Sequence, residues 1–237
     1  GMLLFILLAA PWYAAMFIVH GDAYASGAKV HTIGRFLSPM EGHYGTILFY
    51  FPVLLIGFFP WSALLPVPLY QTLKEWYLIR RAQTPIGPAG TSELDLFVTL
   101  WVVGVFLFFT ASSTRLPHYI GPLFPAAAIL AASYWSRCLQ DPTTKGIRGS
   151  IHLMMGVGYL LAIGLACLPT IYTTYASKMV KEFPLAGQVD LGNGPYLAAT
   201  LLLIGMALVG YLGLNEERRG GAFWAAGASL AGLVLIV

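Results

Sequence analysis

Charge is what this sequence most lacks. Only 10% of its 237 residues are Asp, Glu, Lys or Arg, where a soluble domain carries roughly a quarter. That scarcity excludes an ordinary water-soluble globule. Cysteine is nearly absent too: Cys138 and Cys167 have neither paired spacing nor a ligand pattern, so neither a disulfide framework nor a metal motif is expected. The net charge of +3 is dispersed, and no basic stripe suits nucleic acid. Alternating strand patterns with short turns are missing, which argues against a β-barrel. No phosphate-binding Gly loop, HExxH or GxSxG is present, and no fixed-period repeat. No basic segment precedes the first apolar run, so no cleavable signal peptide is evident.

What is there is apolar. The chain is 58% hydrophobic, with a mean hydropathy of +0.74. Spanning helices need about twenty apolar residues, and seven such stretches can be drawn: Met2–Val19, Thr46–Tyr70, Leu94–Ala111, Leu116–Trp135, Ile151–Tyr172, Pro195–Leu214 and Ala222–Val237. In hydrocarbon every backbone polar group must be satisfied internally, which leaves helices. The expected fold is all-α: a polytopic transmembrane bundle of about seven spans. Residues 1–237 form a single transmembrane domain, with an outward juxtamembrane loop over 20–45 and a cytoplasmic linker over 71–93. The first residues lead directly into a span and the last lie inside one, so the chain reads as part of a larger protein.

Lys and Arg set the orientation. The loops after spans two, four and six hold Lys74, Arg80, Arg81, Arg137, Lys145, Arg148, Arg218 and Arg219. The other side holds Lys29, Arg35, Arg115, Lys178 and Lys181. The first set is larger and is assigned to the cytoplasm. Residues 21–45, 112–115 and 173–194 then face outward. The linker Gln83–Ser92, rich in Pro, Gly and Thr, reads as flexible. Glu216–Arg219 reads as a solvated turn.

Two outward stretches carry the polarity. Ser112 to Pro125 joins two very apolar segments through a few residues that include Arg115, His118 and Tyr119. An Arg at a membrane surface is costly unless it snorkels or finds an anion, which suggests an anionic, lipid-linked ligand. Pro117 suits the first turn of the returning helix. The second stretch, residues 21–45, contains Asp22, Lys29, His31, Arg35, Glu41 and His43. Ala28–Leu37 could form a short interfacial helix with Val30, Ile33 and Leu37 toward lipid. His31 and Arg35, four apart, would share one face. Simple headgroup contact would also account for such basic residues. Pro52, Pro60, Pro66 and Pro68 are expected to kink the second span.

Taken in order, His31-Thr32-Ile33-Gly34-Arg35-Phe36, then Phe49 to Trp61, then Ser113 to Tyr119 with Pro122 and Pro125, form a set that, with Pro11-Trp12-Tyr13 before it, resembles the bacterial aminoarabinose-transferase-like glycosyltransferases, relatives of the protein O-mannosyltransferases. The motifs cover residues 11–125; beyond Ala126 only hydropathy matches. The resemblance implies a polytopic enzyme of GT-C architecture in the bacterial inner membrane, with these residues in the later part of its membrane domain and its site facing the periplasm. It implies a polyprenyl-phosphate sugar donor and a lipid acceptor, lipid A in the best-known members, or a protein acceptor. Arg35 matches the family arginine at the lipid phosphate, and His31 a nearby histidine loosely. Tyr119 matches the tyrosine of a Lys-Leu-Pro-x-Tyr segment, where Arg115 replaces the lysine. The family's proposed catalytic aspartate lies in a loop that has no counterpart here. No catalytic residue is therefore assigned, Asp22 and Glu41 read as solvated loop residues, and the chain alone is expected to be inactive. No cofactor or metal is implied; the lipid-linked sugar is a substrate. Two other classes remain open: half of a lipid or solute transporter, or a non-catalytic assembly subunit. No charged pair is seen mid-span and no inverted repeat.

Overall fold

The structure, a computed structural model, describes residues 1–37, 46–82, 92–182 and 190–236; the side chains of residues 32, 35, 82 and 176–182 also lie outside the described set. Among the described residues the regular structure is helical throughout. Among the described residues five helices are long and apolar enough to cross a membrane, or six spans result if one sharply bent pair counts as a single span. That confirms the all-α polytopic class; the stretch expected at Leu116–Trp135 falls short of a continuous α-helical span, being split into a 3-10 helix and the 17-residue helix Phe124–Gln140. The chain divides into two compact units, Gly1–Val53 with Val103–Pro122, and Leu54–Val102 with Leu123–Val237.

In the first unit, α1 runs Met2–Lys29 and is broken at Gly21, whose φ of 47° and ψ of −127° leave the helical region. Glycine bears that conformation without a Cβ penalty. Span and loop were expected to part at this point. The chain instead resumes as helix, continuing through a π turn at Val30–Gly34 and a last turn, α2, at Arg35–Leu37. The outward loop expected over 20–45 is therefore helical to Leu37; residues 38–45, with Glu41 and His43, lie outside the described set. Val30, Ile33 and Leu37 are exposed, as a lipid-facing set requires. No side chain of α1 is buried.

The second expected span is not a kinked rod. Helix α3, Tyr50–Gly57, and the segment Trp61–Arg81 meet at 110°. Proline explains why the helix cannot simply continue: Pro60 has no N–H to donate and restricts the residue before it. A 3-10 turn, Trp61–Leu64, follows. The Ser62 hydroxyl donates to the Leu55 carbonyl at 2.7 Å, satisfying a group that the break sets free. Pro66 then opens α4, Pro66–Ala82, where a missing N–H costs least. Residues 71–82 of the expected linker are thus helix, while residues 83–91 lie outside the described set.

Helix α5, Glu93–Ala111, matches its expected span. Ser92 caps it, its Oγ accepting from the Asp95 N–H at 3.0 Å. The returning segment differs from expectation. Pro117–Leu123 is a 3-10 helix, and α6 begins only at Phe124 and runs to Gln140. The proline in the first α-helical turn is Pro125, not Pro117. Pro117 and Pro122, lacking N–H groups, favour the short 3-10 turn.

In the second unit, α7 (Ile147–Glu182), α8 (Gly194–Gly213) and α9 (Arg219–Ile236) pack through small residues. The outward loop expected from Thr173 is helix to Glu182. At Gly205 an added Cβ would overlap the Ser229 hydroxyl, which is itself held by a 2.7 Å bond to the Ala225 carbonyl. Gly205→Ala is expected to destabilise the protein by about 1–3 kcal/mol, because overpacking outweighs the ~1 kcal/mol that Ala gains in helix propensity. A lower melting temperature in detergent checks this.

The turn Glu216–Arg219 is not simply solvated. Arg219 is 2% exposed. Its guanidinium donates to the Cys138 carbonyl at 2.9 Å and the Gly213 carbonyl at 3.4 Å, near the C-termini of α6 and α8. Those carbonyls have no partner within their own helices.

Candidate functional site

The four residues singled out by sequence, His31, Arg35, Arg115 and Tyr119, all fall within the first unit. Their backbones are tied together there. Ser113, in the loop after α5, donates its N–H to the Phe36 carbonyl and its Oγ–H to the Leu37 carbonyl, both at 2.9 Å. Those are orphan carbonyls at the end of α2. The loop that carries Arg115 and Tyr119 therefore caps the turn that begins with Arg35, across 76 residues of sequence. Phe36 supports the joint, its ring 5.3 Å from that of Phe108.

Removing the Ser113 hydroxyl tests this joint. Ser113→Ala is expected to cost about 1 kcal/mol and to speed hydrogen exchange at the Ser113 amide roughly fivefold. Unchanged protection at that amide would show that the hydroxyl does not hold the segments together.

Tyr50 fixes the loop from a third element. Its side chain is fully buried, and its hydroxyl donates to the Leu116 carbonyl at 3.2 Å. Tyr119 is half-buried, with its ring 5.6 Å from Phe109 and 4.9 Å from His118. Its backbone N–H closes the turn on the Leu116 carbonyl. An aromatic wall thus runs along Tyr50, Phe109 and Tyr119, with Tyr50 and Phe109 centroids 6.5 Å apart. It suits the apolar part of an amphipathic ligand.

Arg115 does not simply snorkel. It is half-buried, and its guanidinium donates to the Thr110 carbonyl at 3.0 Å. A cation at a helix C-terminus also complements the macrodipole. His31 is exposed on the π turn, so the face it was expected to share with Arg35 cannot be taken over from α-helical spacing: the i→i+5 ladder changes the phase. The Arg35 side chain itself lies outside the described residues. Among the described residues no cluster of three His, Cys, Asp or Glu side chains could hold a metal.

No protein-family model matches the chain. Curated relatives do. An undecaprenyl phosphate-alpha-4-amino-4-deoxy-L-arabinose arabinosyl transferase of Edwardsiella ictaluri is 32% identical over 235 residues, 98% of this chain and 38% of that protein. The transferase of the same name from Yersinia pestis (strain Pestoides F) is 29% identical over 233 residues, again 98% of this chain and 38% of the relative. The chain is similar to part of these aminoarabinosyl transferases. It spans under two-fifths of the length of those relatives. The matched region, 98% of the chain, reaches well past residue 125, where the motifs ended. Among solved structures, ArnT from Cupriavidus metallidurans, determined bound to undecaprenyl phosphate, superposes with a TM-score of 0.60 at 19% identity, over all of this chain and 37% of that one. That likeness establishes the fold: this chain has the architecture of the matching part of that structure.

Sequence reasoning missed one polar constellation, in the second unit. Asp95, 1% exposed, pairs with Arg137 and accepts from the Ser133 hydroxyl at 2.8 Å; Arg137 also donates to Ser133 Oγ at 3.1 Å. An acid just inside the start of an apolar span was the available signal. It was overlooked because Arg137, 42 residues on, had been placed in solvent.

Proposed function

We propose that this chain is part of a membrane glycosyltransferase that takes a sugar from a polyprenyl-phosphate donor and passes it to a lipid or protein acceptor at the outer face of the inner membrane. The aminoarabinose donor named for the relatives is the one assigned. One observation supports this assignment of the site: Ser113 bonds the carbonyls of Phe36 and Leu37, which ties the backbone of the Arg35 turn to the loop that carries Arg115 and Tyr119.

Each residue then has a physical task. Breaking the bond between sugar C1 and oxygen leaves charge on the phosphate, and fixed donors at that point lower the barrier most where water is scarce. Arg35 serves as the main phosphate ligand, because a guanidinium clasps two oxygens at once. Tyr119 supplies a neutral hydroxyl donor. Arg115 orders the loop through Thr110 and adds positive potential. His31 marks the mouth of the site. The prenyl tail runs along the aromatic wall, and the break at Gly21 lets the helical segment beyond it reposition over the donor. The acceptor hydroxyl is deprotonated by a group outside this chain.

Incubating the purified full-length protein with undecaprenyl-phosphate aminoarabinose and a lipid acceptor in detergent tests this reading. Sugar transfer is expected from the full-length protein and none from residues 1–237 alone. Failure of the full-length protein to transfer would remove the assigned reaction. Transfer by the isolated segment would place the base within it.

A further inference from the structure

We propose that the groove between α4 and the turn joining α6 to α7 is a second lipid site, one that holds the phosphodiester headgroup of an anionic membrane phospholipid. The groove encloses about 790 Å³ and lies wholly within the second unit. Lys74 and Lys145 line it, with Arg137 and Glu75. Asp95 balances Arg137, and Glu75 offsets one lysine, so a single positive charge remains. A phosphodiester carries the matching single negative charge.

The site is built, not merely charged. Lys145 is fixed through its backbone: its carbonyl accepts from the Tyr134 hydroxyl at 3.2 Å and from Gln71 Nε2 at 3.4 Å. Gly146, at φ +95°, brings the turn so near α4 that an added Cβ would sit 2.7 Å from Val67 Cγ1. Both lysines are exposed and line the groove. Lys74 Nζ lies 5.6 Å from the Tyr70 ring centroid. Tyr70 and Leu78, also in the lining, are 65% and 50% exposed. Helix α4 therefore sets Lys74 beside an aromatic and aliphatic face, opposite Lys145, a pairing of charge and apolar surface that suits the headgroup layer. Basic pockets at such a level take anionic headgroups, with the acyl chains passing over the apolar flank.

Native mass spectrometry of the full chain in detergent, titrated with dioleoyl phosphatidylglycerol, tests this. Lys74→Gln with Lys145→Gln is expected to weaken binding about thirtyfold, near 1 kcal/mol for each lysine. Both lysines are exposed, so the variant should keep the wild-type melting temperature. Arg80→Gln with Arg81→Gln, on the same helix but outside the groove lining, should change binding less than threefold. Equal loss in both double variants would show diffuse surface attraction and overturn the site. Equal affinity for phosphatidylcholine would overturn the charge match. Displacement of phosphatidylglycerol by inorganic phosphate would make this a free-anion site and overturn the lipid assignment.

Discussion

Replacing Arg35 by alanine in the full-length protein is expected to slow glycosyl transfer about a hundred- to a thousandfold, the loss typical of one transition-state donor, while the protein stays folded. Folding should survive because Ser113 holds the carbonyls of Phe36 and Leu37, and the substitution leaves those bonds in place. Alanine also suits a helical turn at least as well as arginine. The deficit should appear in kcat rather than KM, since charge on the leaving phosphate peaks in the transition state. Arg35→Lys should recover part of the rate: it keeps the charge and loses the two-pronged geometry. Tyr119→Phe should cost less, about tenfold, because it removes one neutral donor and keeps the ring against Phe109. Transfer kinetics, with size-exclusion profiles to confirm folding, decide the matter. Near-normal turnover by Arg35→Ala would end its assignment as phosphate ligand.

The largest expected effect on stability lies elsewhere. Arg219→Ala should cost about 2–4 kcal/mol, because it strips the Cys138 and Gly213 carbonyls of a charged donor and leaves a cavity among three helices. Its neighbour provides the control. Arg218 lies on the surface, its guanidinium carbon 5.5 Å from the Tyr211 ring centroid, so Arg218→Ala should shift stability by no more than about 1 kcal/mol. Arg219→Lys should fall between them, since an ammonium retains the charge and not the fork. Apparent melting temperatures in detergent are expected in the order Arg218→Ala, Arg219→Lys, Arg219→Ala, from highest to lowest. Arg219→Ala melting with the wild type would show that the two carbonyls do not depend on it.

These two arginines also show what sequence could and could not reveal. Hydropathy located α5, α8 and α9 within three residues at either end, because long apolar runs have one solution in lipid. It misjudged α7, whose ends leave the apolar run while the backbone continues as helix through Ile147–Glu182. It could not foresee the 110° turn after Gly57, since a proline signals a kink without its angle. Adjacent Arg218 and Arg219 look alike in sequence; only the packing of α6, α8 and α9 buries the second. The candidate site could be written only as a list: ordered motifs pointed to Arg35, Arg115 and Tyr119, with His31 nearby. That Ser113 joins their segments was not legible, because a hydroxyl bonding a backbone carbonyl 76 residues away leaves no periodic trace.

Helix α5 carries a charged group near each end, and this bears on depth. At its start the buried Asp95 is gripped by Arg137 and Ser133. At its end Arg115 clasps the Thr110 carbonyl. Sliding by one turn, about 5.4 Å, would drag a carboxylate into hydrocarbon at one end or an arginine at the other. Such a helix behaves as a vertical gauge. A shift of α5 along the bilayer normal would therefore be resisted first at its buried acidic end.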